Sequence, residues 1–124
     1  MIVGIGTDLI EIARIEDKLE SNEAFKTHVF SAHECEYCEG HKRPGMHFAA
    51  RWAVKEAFLK AFGVQFIGNQ RLPQIETVND EYGKPSIVLH GEILEDFRKR
   101  GLQKTHVSIS HTDTHATAYV IIEA

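Results

Sequence analysis

The sequence reads MHFAARWAVKEAFLKAF from Met46 to Phe62. At 100° per residue, the apolar side chains of this stretch spread around the whole circumference of a helix, a pattern typical of a helix that is buried on every side. Gly63 follows, and glycine readily adopts the left-handed conformation that ends many helices. We therefore predict a central buried helix over Met46–Phe62 that ends at Gly63.

The same helix carries four charged side chains, Arg51, Lys55, Glu56 and Lys60. Buried charges are unfavourable unless they are paired or bound to something. Glu56 and Lys60 are one turn apart, so one interpretation is an ordinary ion pair worth a few tenths of a kcal/mol. The other interpretation is a charged strip that serves a polar site, and the spacing alone favours neither.

The segment Met1–Ile10 is rich in Ile, Val and Leu and predicts a strand. Gly4 and Gly6 interrupt it, and glycines inside a strand often mark a bulge or the close approach of another backbone. Asp8 follows them, and it either ends the strand, caps the next helix, or meets Glu56 in space. Two converging carboxylates, together with substrate phosphates, are ligands that suit Mg²⁺.

The other predicted elements alternate between helices and strands. Before the central helix we expect a helix from about Glu11 to Glu20, a helix that starts with a capping box of Ser31 and Glu34 and ends at Gly40, and a loop over Lys42–Gly45. After it we expect a strand over Ile75–Asn79, a turn over Asp80–Gly83 and a strand over Ser86–Leu89. The last predicted elements are a helix over Glu92–Arg100 capped by Gly101, and strands over His106–Ser110 and Ala116–Glu123. This order predicts an α+β fold with a mostly antiparallel sheet packed against helices.

Length and composition exclude several classes of protein. The chain has 124 residues, 43% of them hydrophobic, and we expect one domain over residues 1–124. No apolar run approaches the roughly 20 residues that span a membrane, and the N-terminus lacks the pattern of a signal peptide. Two cysteines without an export signal favour a cytoplasmic location. The net charge of −4 argues against general nucleic-acid binding, which needs a basic surface.

Two polar segments near the C-terminal half are candidates for ligand contacts. Ser108, Ser110, His111 and Thr112 lie at a strand end, where they either form the hairpin or bind a phosphate or a base. The segment Asn79–Pro85 is first of all a turn, with Lys84 at its rim, where it could contact a phosphate.

A cluster of histidines and cysteines offers an alternative function. Its members are His33, Cys35, Cys38 and His41, with His47 nearby. Cys and His ligands at short spacing suggest zinc, and a zinc-stabilised interaction domain is one alternative to an enzyme. The capping box, however, places both cysteines inside a helix, whereas paired zinc ligands usually need a tight turn. Two half-buried thiols are the plainer interpretation.

Three ordered motifs resemble those of the holo-acyl-carrier-protein synthase family. They are Ile2-Val3-Gly4-Ile5-Gly6-Thr7-Asp8, then Phe48-Ala49-Ala50-Arg51-Trp52-Ala53-Val54-Lys55-Glu56-Ala57-Phe58 with Lys60 and Gly63, and Ser108-Ile109-Ser110-His111-Thr112; Asn79 to Pro85 adds a fourth. The resemblance runs nearly end to end. It implies the 4'-phosphopantetheinyl transferase fold and a homotrimer with active sites between subunits.

The resemblance also implies roles for individual residues. Asp8 and Glu56 would hold Mg²⁺, with Mn²⁺ possible, together with the pyrophosphate of coenzyme A, and Lys60 would neutralise the leaving 3',5'-ADP. The coenzyme A site would be lined by Arg51, Lys60, Gly63, Lys84, Pro85, His111 and Thr112. Arg14, and also Lys18, would contact the acidic acyl carrier protein.

The implied reaction transfers 4'-phosphopantetheine from coenzyme A to a serine of apo-acyl carrier protein and releases 3',5'-ADP. Phosphoryl transfer depends chiefly on positioning and charge neutralisation, so the metal and Lys60 would carry most of the effect. The base that takes the serine proton is left open between Glu56 and a metal-bound water. A metal-dependent hydrolase of a nucleotide-like diphosphate, with the same carboxylates and water as acceptor, is a second alternative.

Overall fold

The structure, a computed structural model, describes residues 1–63 and 69–124. Its elements are β1 (Ile2–Glu11), α1 (Ile12–Ser21), α2 (Glu23–Val29), α3 (Ala32–Glu39), α4 (Pro44–Phe62), a 3₁₀ helix (Asn69–Gln74), β2 (Ile75–Asn79), β3 (Pro85–Leu89), α5 (Gly91–Lys99), β4 (Lys104–His111) and β5 (His115–Glu123). Helix α4 lies at the centre, because its side chains are buried on nearly every side and it packs against β1 and β5. The predicted central helix is confirmed.

The strands form two antiparallel sheets. One has the order β1-β5-β4, and the other is the hairpin of β2 and β3. In the larger sheet Asp8 pairs with Ala118, and His111 pairs with Ala116. This sheet packs one face against α4 and leaves the other face open, so the predicted α+β class with antiparallel strands against helices is confirmed.

Two glycines allow β1 to lie directly on the backbone of α4. A Cβ atom at Gly4 would lie 1.9 Å from the carbonyl oxygen of Ala61, and one at Gly6 would lie 1.9 Å from that of Ala57. No side chain fits in that space. The register of β1 also shifts between Ile2 and Gly4. The close approach of another backbone, one of the two features that the glycines predicted, is therefore present together with an irregular register.

The element predictions miss two short elements, the 3₁₀ helix over Asn69–Gln74 and helix α2, and they misplace the start of α4. The helix α2 was missed, although Asn22 caps it by accepting a hydrogen bond from the backbone N–H of Ala24. The predicted loop over Lys42–Gly45 is wrong in its second half, because α4 already begins at Pro44. Proline suits the first helical position, since the N–H that it lacks would have no helical partner there. No helix in residues 1–63 or 69–124 combines the length and the apolar character needed to cross a membrane.

Candidate functional site

The contact between β1 and α4 brings together three predicted site residues, Asp8, Glu56 and Lys60. Gly4, Gly6 and Asp8 alternate along β1 and so lie on its helix-facing side. Lys60 Nζ on α4 donates a hydrogen bond to the backbone oxygen of Thr7 at 2.9 Å and lies 3.4 Å from Asp8 Oδ1. Among the described residues, Lys60 thus forms its ion pair with Asp8 on β1 and not with Glu56 on its own helix. This favours the interpretation of a charged strip that serves a polar site.

The two carboxyl groups of this contact hold their protons more tightly than usual. Burial raises the pKa of Asp8, against the opposing charge of Lys60. Burial also raises the pKa of Glu56, and the negative charge of Asp8 raises it further. Asp8 Oδ2 is buried, and within the part of the chain that the structure describes it has no hydrogen-bond partner. A cation placed here would relieve both the repulsion and the unpaired oxygen.

These donors fit a divalent cation of the Mg²⁺ type. Mg²⁺ is usually held by one or two carboxylates and completed by water and substrate phosphates, rather than by a full cage of protein ligands. Residues 1–63 and 69–124 contain no group of three or more His, Cys, Asp or Glu side chains placed to share a metal ion. A pair of carboxylates with one free buried oxygen therefore suits a metal that arrives with its phosphate ligands.

A cavity of about 200 Å³ lies beside the N-terminal half of α4. It brings together three predicted residues, Arg51, Pro85 and His111, although they come from α4, β3 and β4. The remaining residues that line it are Tyr37, His47, Ala50, Asn79, Gly83 and Ile109. Tyr37 was missed, since nothing in the sequence distinguishes it from other residues of α3, whereas Asn79 and Gly83 lie in the turn segment already singled out.

Arg51 supplies the positive charge of this cavity. Its side chain is buried, with 2% exposure, and its guanidinium group lies 4.1 Å from the ring centroid of Tyr37. It also donates a hydrogen bond to Asn79 Oδ1. Arg51 Nε is buried and has no acceptor within the described residues. A buried arginine with an unused donor at the wall of a cavity is suited to an anion.

Three histidine rings lie close together, and two of them, His47 and His111, line the same cavity. The rings of His41 and His47 lie 3.8 Å apart, and those of His47 and His111 lie 6.4 Å apart. Burial lowers the pKa of His47 to about 4, and the neighbouring charges of His41, Arg51 and His111 contribute. His47 is therefore neutral at neutral pH in the protein without ligand, and Arg51 remains the fixed cation.

The histidines and cysteines do not assemble a zinc site. His41 uses Nδ1 to bond the backbone oxygen of Tyr37 at 2.8 Å and stacks on His47. Cys38 is in the hydrophobic core, where burial raises the pKa of its thiol to about 12. Metal binding needs the thiolate, which this environment disfavours. The alternative of a zinc-stabilised interaction domain is thus not supported. The interpretation of two half-buried thiols holds for Cys35 but is wrong for Cys38, which is fully buried.

Five other predicted residues lie outside the lining of the cavity beside Arg51. Gly63 ends α4 with a φ of 86°, the left-handed conformation that we predicted. Thr112 lines a second cavity of about 130 Å³, which His111 and Leu9 share. Lys84 is exposed in the turn before β3, where its backbone N–H donates to Asp80 Oδ1 at 2.9 Å. Arg14 and Lys18 are exposed on α1, one turn apart.

Lys55, the fourth charged residue of α4, has a structural role. It is fully buried, and its Nζ lies 2.7 Å from Glu34 Oε1 and donates to the backbone oxygens of Leu72 at 3.0 Å and Ile75 at 2.6 Å. Burial lowers the pKa of Lys55, and the charge of Glu34 opposes this shift. Glu34 also accepts a hydrogen bond from Thr77 N, so the pair joins α3, α4 and β2.

Comparison with known proteins agrees with this geometry. The family model of the 4'-phosphopantetheinyl transferase superfamily matches residues 4–120. The chain belongs to this superfamily. It is 42% identical over 124 residues to the holo-[acyl-carrier-protein] synthase of Geotalea daltonii, with 99% of each chain covered. It is 43% identical over 123 residues to that of Clostridium tetani, with 99% of this chain and 97% of the relative covered.

Solved structures of the family have the same fold. The holo-[acyl-carrier-protein] synthase from Neisseria meningitidis superposes with a TM-score of 0.90 at 28% identity over the full length of both chains. That from Bacillus anthracis, in complex with CoA (3',5'-ADP), has a TM-score of 0.80 at 36% identity and covers 100% of this chain and 98% of the other. The predicted family is confirmed, and the protein is a phosphopantetheinyl transferase of the holo-[acyl-carrier-protein] synthase type.

Proposed function

We propose that this enzyme transfers 4'-phosphopantetheine from coenzyme A to a serine of apo-acyl carrier protein and releases 3',5'-ADP, with Asp8 and Glu56 holding the required Mg²⁺. The observation that carries the proposal is the contact of β1 with α4. It joins two carboxyl groups of raised pKa, a buried carboxylate oxygen that has no partner within residues 1–63 and 69–124, and the ammonium group of Lys60. Such a group of charges suits a pyrophosphate that brings a metal with it.

In the proposed reaction the serine oxygen attacks the β-phosphorus of coenzyme A. A new P–O bond forms to the carrier serine, and the bond from the β-phosphorus to the bridging oxygen breaks. The electron pair leaves with 3',5'-ADP, while the serine proton passes to a base, for which Glu56 is the candidate on this chain. Bound Mg²⁺ would neutralise charge on the pyrophosphate. Lys60, which is 57% exposed and so open to ligand, neutralises the charge that develops on the leaving ADP.

We further propose that the cavity beside Arg51 receives a phosphate of the adenosine end of coenzyme A. Arg51 provides a buried guanidinium whose Nε finds no acceptor among the residues that the structure describes, and His111 lies at the shared wall of the two cavities. The other residues of this binding surface are Gly63, Lys84, Pro85 and Thr112. The complex of the Bacillus anthracis relative with CoA (3',5'-ADP) supports a nucleotide ligand for this fold.

The acyl carrier protein is proposed to dock on α1. Arg14 and Lys18 form an exposed pair of positive charges one turn apart, which suits an acidic partner. An enzyme that activates such a carrier would act in fatty acid biosynthesis. The free thiols of Cys35 and Cys38 fit the reducing conditions of the cytoplasm, where we expect it.

A homotrimer is proposed from the open face of the larger sheet. Ile5, Leu9 and Tyr119 lie on this face with exposures of 69%, 67% and 55%. Contiguous exposed apolar residues are typical of an interaction surface. Leu9 also lines the cavity of about 130 Å³, so a second subunit on this face would lie beside His111 and Thr112.

The test is the intact mass of apo-acyl carrier protein after incubation with the enzyme, coenzyme A and Mg²⁺, beside a sample with a chelator. We expect a gain of one phosphopantetheine that requires the metal. Release of 3',5'-ADP without any carrier protein would instead favour the hydrolase. Sedimentation of the same sample measures the oligomeric state, and a monomer at working concentration would contradict the trimer.

A further inference from the structure

Arg43 links three separate parts of the fold. It lies just before α4, and its guanidinium group holds both oxygens of Glu16 on α1, with Nε to Oε2 and Nη2 to Oε1 each at 3.0 Å. Its remaining nitrogen, Nη1, donates to the backbone oxygen of Asp113 at 2.6 Å. Asp113 belongs to the turn that joins β4 to β5. One side chain thus joins α1, the start of α4 and this turn.

The backbone at Gly45 leaves room for this arrangement. A Cβ atom at Gly45 would lie 2.2 Å from Glu16 Cγ and 2.6 Å from Glu16 Oε2. Any side chain there would push Glu16 away from the geometry in which it receives both nitrogens of Arg43. The closeness of Gly45 to Glu16 is therefore part of the same linkage.

The turn that Arg43 holds is itself well ordered by local hydrogen bonds. Thr112 Oγ1 accepts from the backbone N–H groups of Thr114 at 3.2 Å and His115 at 3.1 Å. Thr112 N donates to the oxygen of His115 at 2.8 Å. Ile12 N, at the start of α1, donates to the oxygen of Thr114 at 2.9 Å. These bonds make the turn compact, and Ile12 N and Arg43 Nη1 donate to its backbone oxygens from other parts of the fold.

We propose that Arg43, with Glu16 and Gly45, is a positioning residue that holds the Thr112–Thr114 turn, and hence His111 and Thr112, in place for coenzyme A. This inference rests on the proposed function, because it uses the proposed contacts of His111 and Thr112. It adds that α1, the proposed carrier-docking helix, is tied to the coenzyme A surface through the pair of Glu16 and Arg43. Both side chains are partly exposed, at 33% and 41%, so the pair contributes little to stability. Its effect should appear in ligand binding.

The experiment compares Arg43→Gln with Glu16→Gln, the double variant, and Arg71→Gln. Arg71 is a matched control, because it also joins separate elements through carboxylate ion pairs, with Glu92 at 2.6 Å and Asp96 at 3.4 Å, both on α5. We expect Arg43→Gln to raise the KM for coenzyme A about fivefold or more with kcat at saturation nearly unchanged, since a contact equal in ground and transition states affects only KM. The KM for the carrier should stay the same, because Arg14 and Lys18 are intact.

Two further measurements distinguish a positioning role of Arg43 from a merely structural one: whether the effects of the two substitutions on KM add, and how fast the amides of the turn exchange. Glu16→Gln should raise the KM less than Arg43→Gln, and the double variant should match Arg43→Gln, because one linkage is lost in both. Amide exchange at residues 112–115 should accelerate in Arg43→Gln and Gly45→Ala but not in Arg71→Gln. This exchange needs no substrate, so it decides the positioning even if the wild-type protein fails the transfer assay. Unchanged exchange and an unchanged KM in Arg43→Gln, or equal effects in Arg71→Gln, would overturn the inference.

Discussion

Asp8 on β1 and Lys60 on α4 lie on opposite sides of the strand–helix contact, with Lys60 Nζ 3.4 Å from Asp8 Oδ1. The two side chains differ in their exposure to solvent, which is 16% for Asp8 and 57% for Lys60. Lys60 therefore does not fully compensate the buried carboxylate, as the raised pKa of Asp8 indicates. The site holds negative charge that a bound divalent metal ion would balance.

The substitutions Asp8→Asn and Glu56→Gln should separate activity from stability. Each removes a proposed metal ligand, so we expect kcat to fall by about 100-fold or more. Each also removes a charge whose burial is unfavourable, so the melting temperature without ligand should stay the same or rise. The measurement is transfer rate beside thermal unfolding, with and without Mg²⁺ and 3',5'-ADP. Wild-type activity in either variant, or a Mg²⁺-dependent rise in melting temperature equal to that of the wild type, would contradict the metal assignment.

Lys60→Ala should lower kcat at saturating coenzyme A, because the charge on the leaving ADP is greatest in the transition state. An effect of about 10-fold or more is expected, with a smaller change in KM. Lys99→Ala is a control, since Lys99 is an exposed lysine at the end of α5. Steady-state kinetics at several Mg²⁺ concentrations measure the effect. If kcat is unchanged while only KM rises, Lys60 binds the ligand without assisting departure.

Much of the fold could be predicted because its main elements are defined locally. The helix of Met46–Phe62 is apolar on all sides and ends in a glycine, and the capping box of Ser31 and Glu34 is present as expected, with both of its hydrogen bonds made. The missed helix α2 has only seven residues, and tertiary contacts stabilise so short a helix more than its own sequence does.

The sites were less accessible to sequence analysis, because they depend on contacts between distant segments. The proximity of Asp8 and Glu56 needs β1 to lie on α4, and only the Cβ-free surface of Gly4 and Gly6 hinted at this. The stacking of Arg51 on Tyr37 joins α4 to α3, and neither residue marks the other in the sequence. The contact of Arg43 with the oxygen of Asp113 involves a main-chain atom, which no side-chain pattern can reveal.

Gly6→Ala should destabilise the fold at the same contact that builds the site. The added methyl group would lie 1.9 Å from Ala57 O, a backbone atom that cannot rotate away. Overpacking of this kind costs about 1–3 kcal/mol, and more where the neighbours cannot move. Gly40→Ala is the control, because its Cβ would meet nothing closer than 3.5 Å and the φ there is −77°. Chemical denaturation measures both variants, and equal stability of Gly6→Ala and wild type would show that β1 can shift from α4 at no cost.

His47→Phe should change how stability depends on pH. Burial and nearby positive groups lower the pKa of His47 to about 4, from an ordinary value of 6.5. As the pH falls from 6.5 towards 4, the unfolded chain takes up a proton at this residue and the folded protein does not. Its contribution therefore lowers the free energy of unfolding across that window, and no further below the folded pKa. Phenylalanine keeps a ring beside His41 and cannot be protonated, so the variant should lose less stability than wild type between pH 6.5 and pH 4. Denaturation at several pH values measures the difference between the two slopes. Parallel curves for wild type and variant would mean that His47 takes up its proton equally well in the folded protein, which would require the row of His41, His47 and His111 to open at low pH.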